Sequence, residues 1–558
     1  MLGFPCAHSP FAPPAHSVNS AFRKTFDILA ATRNEAAVPV LVAALDCALP
    51  EVQEAALRTI LERRSPFGQT ALVRRLHQAG PRWRDIIGEN QSGMAHALRD
   101  AVLDTDRQMA LNGCQAILWF REYDLMPALV NALEDEANPN ADLVVSTLLE
   151  LADSLYEELA IPRDDRRRRD PQRMRALIVG SLELSVQRYV KHRRREVLEL
   201  FLMLAPRENG TLRHVLSDPH HSAYLTTVEV LLHSDRPGVM RLLLSFLEDP
   251  HPPSTALTTL ARRNGRKFVA HLLRKIGLAP PAILLHNLKR IDSIPWSRPE
   301  GGMLEALDDA EQHSLVLMLQ ASAVRRSDVY AALAHLARRG RPGGRRAALR
   351  AMSEFRGAEA NQLVMAALDD EDPLVQAEAI RQLRQRGLPG SMARLIDLAE
   401  SQQPAVREAV REALAEFRFP RFLNSFDLMD EETRRSTGAL VLKIDPQAPA
   451  LLADELKSPL RTRRLRAVAV AAAIEAVRRV ERPLRKLLSD EDHLVRIEAA
   501  RALAACDSED TREALFRATA DKSVLVRQAA RQSLDDIGQR LGMPPLARSN
   551  DALTSSGE

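Results

Sequence analysis

The sequence has few cysteines and few aromatic residues. Its four cysteines, Cys6, Cys47, Cys114 and Cys506, lie far apart and form no C-x-x-C pair. A disulfide framework and a cysteine-ligated zinc site are therefore not expected, and a reducing cytoplasm is the simplest setting. Aromatic residues make up 4% of the 558 residues. This low content favours thin, two-layer helical arrays, which bury alanine and leucine and need few large rings.

Long apolar segments are missing as well. No run approaches the roughly 20 apolar residues that a membrane-spanning helix needs. The N-terminal residues have neither a basic start nor an apolar core of signal-peptide length. We therefore expect no membrane segment, and we expect flexible tails over residues 1–20 and over the Ser-rich residues 541–558.

The sequence does contain an internal repeat. Seven segments share one helical pattern, and successive copies are 31 residues apart except for one step of 27 residues between 406 and 433. In the copy at 495, small or apolar residues occur at offsets 0, 4, 5 and 8, which lie on one face of a helix. The copies begin at Gly344, Val375, Val406, Thr433, Arg464, Val495 and Val526.

Each copy is predicted to be a pair of helices joined by a short turn. An apolar helix precedes the repeated segment, as in NQLVMAAL (361–368) and REALFRAT (512–519). Asp372, Asp492 and Ser523 stand where the second helix needs an N-cap. One such hairpin cannot bury its own apolar face, so neighbouring hairpins must stack. The sequence therefore predicts an all-α fold, an α-solenoid in which stacked antiparallel helical hairpins form a superhelix.

The segment DEDHLVRIEAARAL (490–503) resembles the HEAT-repeat family, and the resemblance covers residues 344–537. It implies that the family's acidic and basic positions are structural and bridge the turns of adjacent repeats. It also implies a scaffold for protein complexes. The acidic positions are Asp370, Asp490 and Asp521, and the basic ones are Arg407, Arg496 and Arg527, with Gln376 as a departure.

The repeat pattern and the resemblance together suggest five regions. After the tail over 1–20, residues 21–160 are expected to form HEAT-like hairpins, with one copy in VPVLVAALD (38–46) and EVQEAALRTIL (51–61). Residues 161–343 are expected to form divergent helical repeats that carry a basic loop and basic clusters. HEAT repeats then fill residues 344–540, and the tail over 541–558 follows.

Positive charge is concentrated in the middle of the chain. Residues 162–350 contain 33 Arg and Lys against 19 Asp and Glu, and no acidic residue occurs between 250 and 291. A positive stripe on a curved scaffold could bind nucleic-acid phosphates or an acidic protein, whereas the alternative is a set of solvated loops and helix faces. The candidate contacts are Arg166, Arg167, Arg168, Arg169, Arg193, Arg194, Arg195, Arg262, Arg263, Arg266 and Lys267.

Motifs for catalysis or metal binding are weak or missing. The sequence has no G-x-S-x-G, no G-x-x-x-x-G-K-[ST] and no His followed by Glu, which counts against H-E-x-x-H zinc helices and against HEAT-like di-iron hydroxylases. The Gly-rich stretch 338–347 is interpreted as an inter-repeat linker. The cluster of His214, Asp218, His220 and His221 does not match a standard ligand spacing, because adjacent histidines on a helix point about 100° apart.

Aromatic and acidic residues near 119–124 allow a sharper alternative. HEAT-like DNA-repair glycosylases use aromatic residues and an acid on a basic concave face, and the candidates here are Trp119, Glu122, Tyr123 and Asp124. The simpler interpretation is that these residues pack inside a hairpin. The lone Cys47 is interpreted as a small buried side chain.

The sequence thus favours a non-catalytic scaffold or adaptor that binds a protein partner, without cofactor or metal. The binding face would consist mainly of the second helices, whose exposed charges are expected to mix signs. The alternative is a nucleic-acid-binding protein, related to DNA repair, that uses the basic middle region. The expected surface charges on the second helices are Arg350, Glu378, Arg381, Glu408, Arg411, Glu498 and Arg501.

Overall fold

The computed structural model describes residues 15–89, 93–161 and 170–542. In these ranges every regular element is an α-helix or a 3₁₀ turn, and none is a strand. None of the helices in them is long and apolar enough to span a membrane. The prediction of an all-α fold is confirmed. The first helix begins at Ala15, inside the segment expected to be a tail.

The helices of the first unit run up to Met303. They are α1 (Ala15–Ala31), α2 (Ala37–Leu45), α3 (Pro50–Arg63), α4 (Pro66–Arg74), α5 (Pro81–Glu89), α6 (Ala95–Val102), α7 (Arg107–Phe120), α8 (Met126–Glu134), α9 (Ala141–Ala160), α10 (Pro171–Gln187), α11 (Tyr189–His192), α12 (Arg195–Leu204), α13 (Gly210–Ser217), α14 (Tyr224–His233), α15 (Pro237–Ser245), α16 (Ser254–Arg262), α17 (Arg266–Ile276) and α18 (Ala282–Leu288).

Three helices, α19 (Met303–Ala306), α20 (Asp309–Ala321) and α21 (Arg326–Arg339), contain the points at which the chain divides into units. Unit 2 comprises Leu304–Val316 and the chain from Val329 onwards, whereas Leu317–Asp328 belongs to unit 1. The remaining helices are α22 (Pro342–Met352), α23 (Ala358–Ala366), α24 (Pro373–Arg386), α25 (Ser391–Leu398), α26 (Pro404–Ala413), α27 (Phe419–Ser425), α28 (Glu431–Ile444), α29 (Ala448–Glu455), α30 (Arg461–Ala473), α31 (Glu481–Leu487), α32 (His493–Leu503), α33 (Glu509–Ala518) and α34 (Val524–Leu541).

Both units are built from stacked hairpins, because helices that are two apart in the chain contact one another. In unit 1, α2 contacts α4 and α4 contacts α6, while α12 contacts α14 and α14 contacts α16. In unit 2 the second helices form a layer in which α22 contacts α24, α24 contacts α26, α30 contacts α32 and α32 contacts α34. This stacking confirms the predicted α-solenoid.

Apolar residues at the repeat offsets hold the second helices together. In α32 the predicted residues Val495, Ala499, Ala500 and Leu503 are all fully buried. Alanine at the two middle positions lets neighbouring helices approach closely, and each fully buried Val or Leu contributes about 1.5–3 kcal/mol relative to exposure. The same positions are buried in α24 and, at the N-terminus, three of the four are buried in α3.

The predicted N-caps are confirmed in position. Asp372 accepts hydrogen bonds from the backbone N–H groups of Leu374 and Val375, at 2.8 and 3.2 Å. Asp492 caps α32 in the same way, and each cap satisfies amides that the first helical turn leaves without a partner. Ser523 is the N-cap residue of α34, but its hydroxyl makes no capping hydrogen bond.

The repeat register at Arg464 differs by one residue from the 31-residue step. In α30 the buried positions include Arg464, Ala467, Val468 and Ala471, whereas Ala469 is exposed. These positions match α32 when the step is 32 residues, so Ala467 corresponds to Ala499. At Thr433 the match is weaker still, because this first residue of the predicted copy is exposed in α28.

The Gly-rich stretch 338–347 is not an inter-repeat linker. Only Gly340 and Arg341 separate α21 from α22, so most of the stretch is helical. A Cβ atom at Gly343 would overlap the Asp309 carboxylate, and one at Gly344 would overlap the Gln312 side chain. These glycines therefore allow a close approach, in which the Gly343 N–H donates to Asp309 Oδ1 at 2.6 Å.

Candidate interaction surfaces

A series of Arg–Asp pairs joins the turns of consecutive hairpins in unit 2. Each arginine near the start of a second helix reaches the aspartate in the turn of the following hairpin, at an N–O distance close to 2.8 Å. That aspartate also accepts the N–H of the residue two positions on, as Asp521 does from Ser523 at 2.8 Å. The pairs are Arg345 with Asp370 (2.8 Å), Arg464 with Asp490 (2.8 Å) and Arg496 with Asp521 (2.9 Å).

Arginines near the start of the second helices also bind the turn of their own hairpin. Arg496 Nη1 donates to the carbonyl of Asp490 at 2.7 Å, and Arg527 Nη1 donates to the carbonyl of Asp521 at 2.9 Å. Arg407 makes the corresponding bond to Ser401 O at 2.7 Å. The acidic and basic positions of the repeat are thus structural, as the resemblance implied, and they are not free for a ligand.

Gln376 explains how the repeat tolerates a departure from arginine. Its Nε2 donates to the carbonyl of Asp370 at 2.8 Å, so the bond within the turn is kept. The following turn has Ser401 where the turns before α24, α32 and α34 have aspartate, so the acidic partner is missing together with the arginine. Gln53 does the same in the first unit, donating to Cys47 O at 2.7 Å.

A second set of arginines caps helix C-termini and was not predicted. Arg263 donates to the carbonyls of Leu231 and Ser234, at 2.6 and 2.5 Å. Arg386 donates to the carbonyls of Met352 and Phe355, and Arg63 and Arg540 also donate to carbonyls of earlier turns. Each of these arginines stands at or next to the last residue of its helix. This shared position in the sequence could have indicated their capping role. Cations there offset the unpaired carbonyls of the neighbouring helix end.

The prediction of Arg263 as a phosphate contact is therefore wrong. Its residue is 2% exposed, its guanidinium lies 4.7 Å from the Phe268 ring centre, and its Nη2 lies 3.5 Å from Asp235 Oδ1. Burial lowers the pKa of Arg263, an effect that Asp235 partly offsets. A run of charged residues looks the same in sequence whether the side chains point outwards or into the fold.

The other basic candidates have mixed surroundings. Arg193 is exposed and has a left-handed backbone conformation, with φ of 50°. Arg195 is exposed and lies 3.7 Å from Glu229, whereas Arg194 and Arg266 are partly buried. Arg262 and Lys267 are exposed. The four remaining candidates, Arg166, Arg167, Arg168 and Arg169, lie outside the described residues.

The exposed faces of the second helices carry a row of charges that crosses from one hairpin to the next. Arg350 of α22 pairs with Glu378 of α24 at 3.2 Å, and Arg381 of α24 pairs with Glu412 of α26 at 3.1 Å. Glu378 was expected to be exposed, but it is only 6% exposed because Arg350 and Arg381 both approach it. The row shows that the faces of α22, α24 and α26 form one continuous surface.

The aromatic candidates near 119–124 pack inside the fold. The Tyr123 hydroxyl donates to Glu158 Oε1 at 2.9 Å, and Tyr123 is 5% exposed. Burial and the neighbouring Glu158 raise the pKa of Tyr123. Trp119 is covered by the guanidinium of Arg84, 3.9 Å from the ring centre. These contacts favour the packing interpretation over a base-binding site.

The histidine cluster does not assemble a metal site. His214 and His221 stack edge to face with centroids 5.6 Å apart, and His221 Nδ1 accepts the N–H of Ala223. Burial and His214 lower the pKa of His221. Within the part of the chain that the structure describes, no group of three or more His, Cys, Asp or Glu residues is arranged to hold a metal ion.

The described cysteines are not paired. Cys114 and Cys506 are buried free thiols, and Cys47 is a partly buried one. Burial raises the pKa of Cys506 to about 11. The fourth cysteine, Cys6, lies outside the described residues.

Comparison with known protein families identifies the repeats. A family model for HEAT repeats matches residues 329–415 and 449–539. These two segments contain the Arg–Asp pairs and the row of charges described above. The segment between them, 416–448, includes α28, where the predicted copy at Thr433 does not keep the repeat's burial pattern. No protein of curated function matches the chain significantly.

Many chains of solved structures match this chain, and one of them illustrates the low similarity. A chain from the study "A conserved phosphorylation switch controls the interaction between cadherin and beta-catenin in vitro and in vivo" is 14% identical. The alignment covers 90% of this chain and 99% of that chain, with a TM-score of 0.24. A TM-score of that size carries no inference about shared architecture or function.

Proposed function

Because residues 329–415 and 449–539 are HEAT repeats, we propose that this protein is a non-catalytic, cytoplasmic scaffold or adaptor that binds a protein partner. The binding face consists of the exposed sides of the second helices α22, α24, α26, α30 and α32. The supporting observation is the continuous row of charges across hairpins, in which Arg350, Glu378, Arg381 and Glu412 alternate in sign.

A surface of alternating charge suits a protein better than a polyanion. Arg381 lies 3.5 Å from Glu378 and 3.1 Å from Glu412, so each cation has an acid beside it. Arg411 with Glu408 and Arg501 with Glu498 repeat this arrangement on α26 and α32. Exposed pairs such as Arg501 with Glu498 contribute little to stability, about 0–1 kcal/mol each, so they can exchange partners with side chains of a bound protein.

An affinity capture from host lysate, split into nuclease-treated and untreated halves, tests this proposal. We expect the same few proteins in both halves. The variant R381E/R411E/R501E should lose them, whereas R517E, which reverses a charge on the first helix α33, should retain them. Capture of nucleic acid alone, or equal capture by the wild type and the triple variant, would contradict the proposal.

A second candidate function rests on helix α17. Its residues Lys267, His271 and Arg274 are spaced four and three apart, so they share one face, and all three are exposed. No acidic residue occurs between 250 and 291, and Lys275 is the neighbour that pairs with an acid, Glu248. A nucleic-acid backbone would fit this cationic stripe.

Salt dependence separates this candidate from the scaffold. A protein that neutralises phosphates loses affinity steeply as salt rises, with a slope of about −0.9 per phosphate contact for duplex DNA. If α17 binds nucleic acid, K267E/R274E should weaken binding to a labelled duplex and flatten that slope by about two. Unchanged binding by this variant would remove α17 as the site.

A further inference from the structure

A cavity of about 800 Å³ opens in unit 2 beside the turn between α29 and α30. One wall is formed by the turn itself, including Pro459, and the opposite wall is formed by α31 of the next hairpin, including Pro483 and Leu487. A volume of this size is typical of sites that enclose a small molecule or a few side chains.

The floor of the cavity is a fixed ion-pair network. Arg464 is 7% exposed, lies 2.8 Å from Asp490 and 3.3 Å from Glu491, and donates to the carbonyls of Ser458 and Pro459 at 3.0 Å. These bonds hold the turn in place and satisfy both acids of the lining. The remaining charged residues of the lining are all basic.

Two of those basic residues have no acidic partner. Arg482 and Lys486 lie four residues apart on α31, so they share one face of the helix, and both are exposed. Among the described residues neither forms an ion pair. A third lining cation, Lys457, pairs only with the exposed Asp454 at 3.0 Å. The mouth of the cavity is thus positive and its walls are partly apolar.

We infer that this cavity docks an extended acidic segment of the protein partner. Carboxylates of the segment would pair with Arg482 and Lys486, and an apolar side chain would lie between Pro459 and Pro483. A duplex is too wide and too uniformly charged for a cavity that contains two acids and apolar walls. The inference rests on the proposed function and specifies one contact outside the second-helix faces.

Direct binding of a defined peptide tests the inference. The probe is a fluorescein-labelled peptide of sequence EELEELEE, titrated with the full chain and followed by fluorescence polarisation at low salt. Charge reversal at both cations, R482E/K486E, should weaken binding by about tenfold or more, because two attractions become repulsions. The control variant R418E/R421E makes the same change in net charge on two exposed arginines, one at the N-cap of α27 and one within it. It should change affinity by less than about twofold.

Specificity is measured with a single-stranded oligonucleotide of the same net charge as the peptide. We expect the oligonucleotide and inorganic phosphate to compete poorly with the peptide. Equal competition, equal weakening by the two reversal variants, or no binding of the peptide by the wild-type chain would each overturn the inference. If R482E/K486E does not fold, the neutral variant R482Q/K486Q is measured and should still weaken binding.

The peptide-binding experiment and the lysate capture can fail separately. If the captured proteins persist in the R482E/K486E variant and the peptide does not bind, the cavity inference fails while the scaffold proposal stands. If the second-helix variant R381E/R411E/R501E keeps its partner but R482E/K486E loses it, the cavity is the contact and the proposed second-helix face is wrong.

Discussion

Removal of Arg496 should destabilise the last two hairpins by an amount that the structure bounds. Its guanidinium donates to both oxygens of Asp521, at 2.9 and 3.1 Å, and to the carbonyl of Asp490. The two side chains are 14% and 15% exposed. The pair therefore lies between exposed pairs, which contribute up to about 1 kcal/mol, and buried pairs, whose loss of one partner costs about 3–5 kcal/mol. We expect Arg496→Ala to lower the free energy of unfolding by about 2–3 kcal/mol.

The chain supplies a matched control for this substitution. Gln376 occupies the equivalent position and keeps the hydrogen bond to the turn carbonyl, at 2.8 Å. Arg496→Gln should likewise keep the bond to Asp490 O and lose only the ion pair. Its expected cost is about 1–2 kcal/mol, so the difference between the two variants measures the hydrogen bond within the turn.

Hydrogen exchange is the suitable assay, because repeat arrays open locally and need not unfold in one step. Amides of α33 and α34 should exchange faster in Arg496→Ala than in the wild type, and those of α22–α26 should be unchanged. Equal costs for the Ala and Gln variants, or costs below about 0.5 kcal/mol for both, would refute the reasoning.

The same pair has a defined pH dependence. Burial opposes ionisation of Asp521, but hydrogen bonds from Arg496 and from the Ser523 N–H hold the pKa of Asp521 below its ordinary value. Because the folded pKa is the lower one, the stabilisation is present above the ordinary aspartate pKa, about 4, and is lost as the pH falls through the folded pKa. When the pH is lowered from 5, the free energy of unfolding should therefore fall less in Arg496→Ala than in the wild type.

Three further variants and one thiol measurement test other features of the fold. Gly438→Ala would place a Cβ against a backbone carbonyl of α30 and should cost about 1–3 kcal/mol in urea denaturation, whereas Gly180→Ala, with open space around it, should stabilise by about 0.5–1 kcal/mol. The double substitution Gln376→Arg with Ser401→Asp should restore an Arg–Asp pair and stabilise unit 2 by about 1 kcal/mol; a loss of stability would show that the turns are not equivalent. Cys506, whose pKa is raised to about 11 by burial, should react with iodoacetamide at pH 8 at least tenfold more slowly than in the urea-unfolded chain, and equal rates would contradict its burial.

The repeats were predictable because burial imposes a period on the sequence. Val495, Ala499, Ala500 and Leu503 stand at helical spacing and recur in other copies, and Asp492 marks the start of its helix. The resemblance also supplied the structural role of the acidic and basic positions. The spacing of the buried residues and the N-cap are local patterns, so they can be identified in a single sequence.

Other features depend on contacts between distant residues. Arg263 looked like part of a charged surface, but its partners are carbonyls about 30 residues earlier, at Leu231 and Ser234. Arg464 corresponds to Arg496 at a step of 32 residues, because each pairs with the aspartate of the following turn, Asp490 or Asp521. The cavity beside Arg464 is likewise formed by two hairpins together, so neither hairpin's sequence shows it.

The most direct test of the scaffold proposal is a hydrogen-exchange footprint of a purified captured partner on the full chain. The proposal predicts protection of peptides from the second helices α22, α24, α26, α30 and α32. Protection confined to α17 and its neighbours, with none in unit 2, would contradict it.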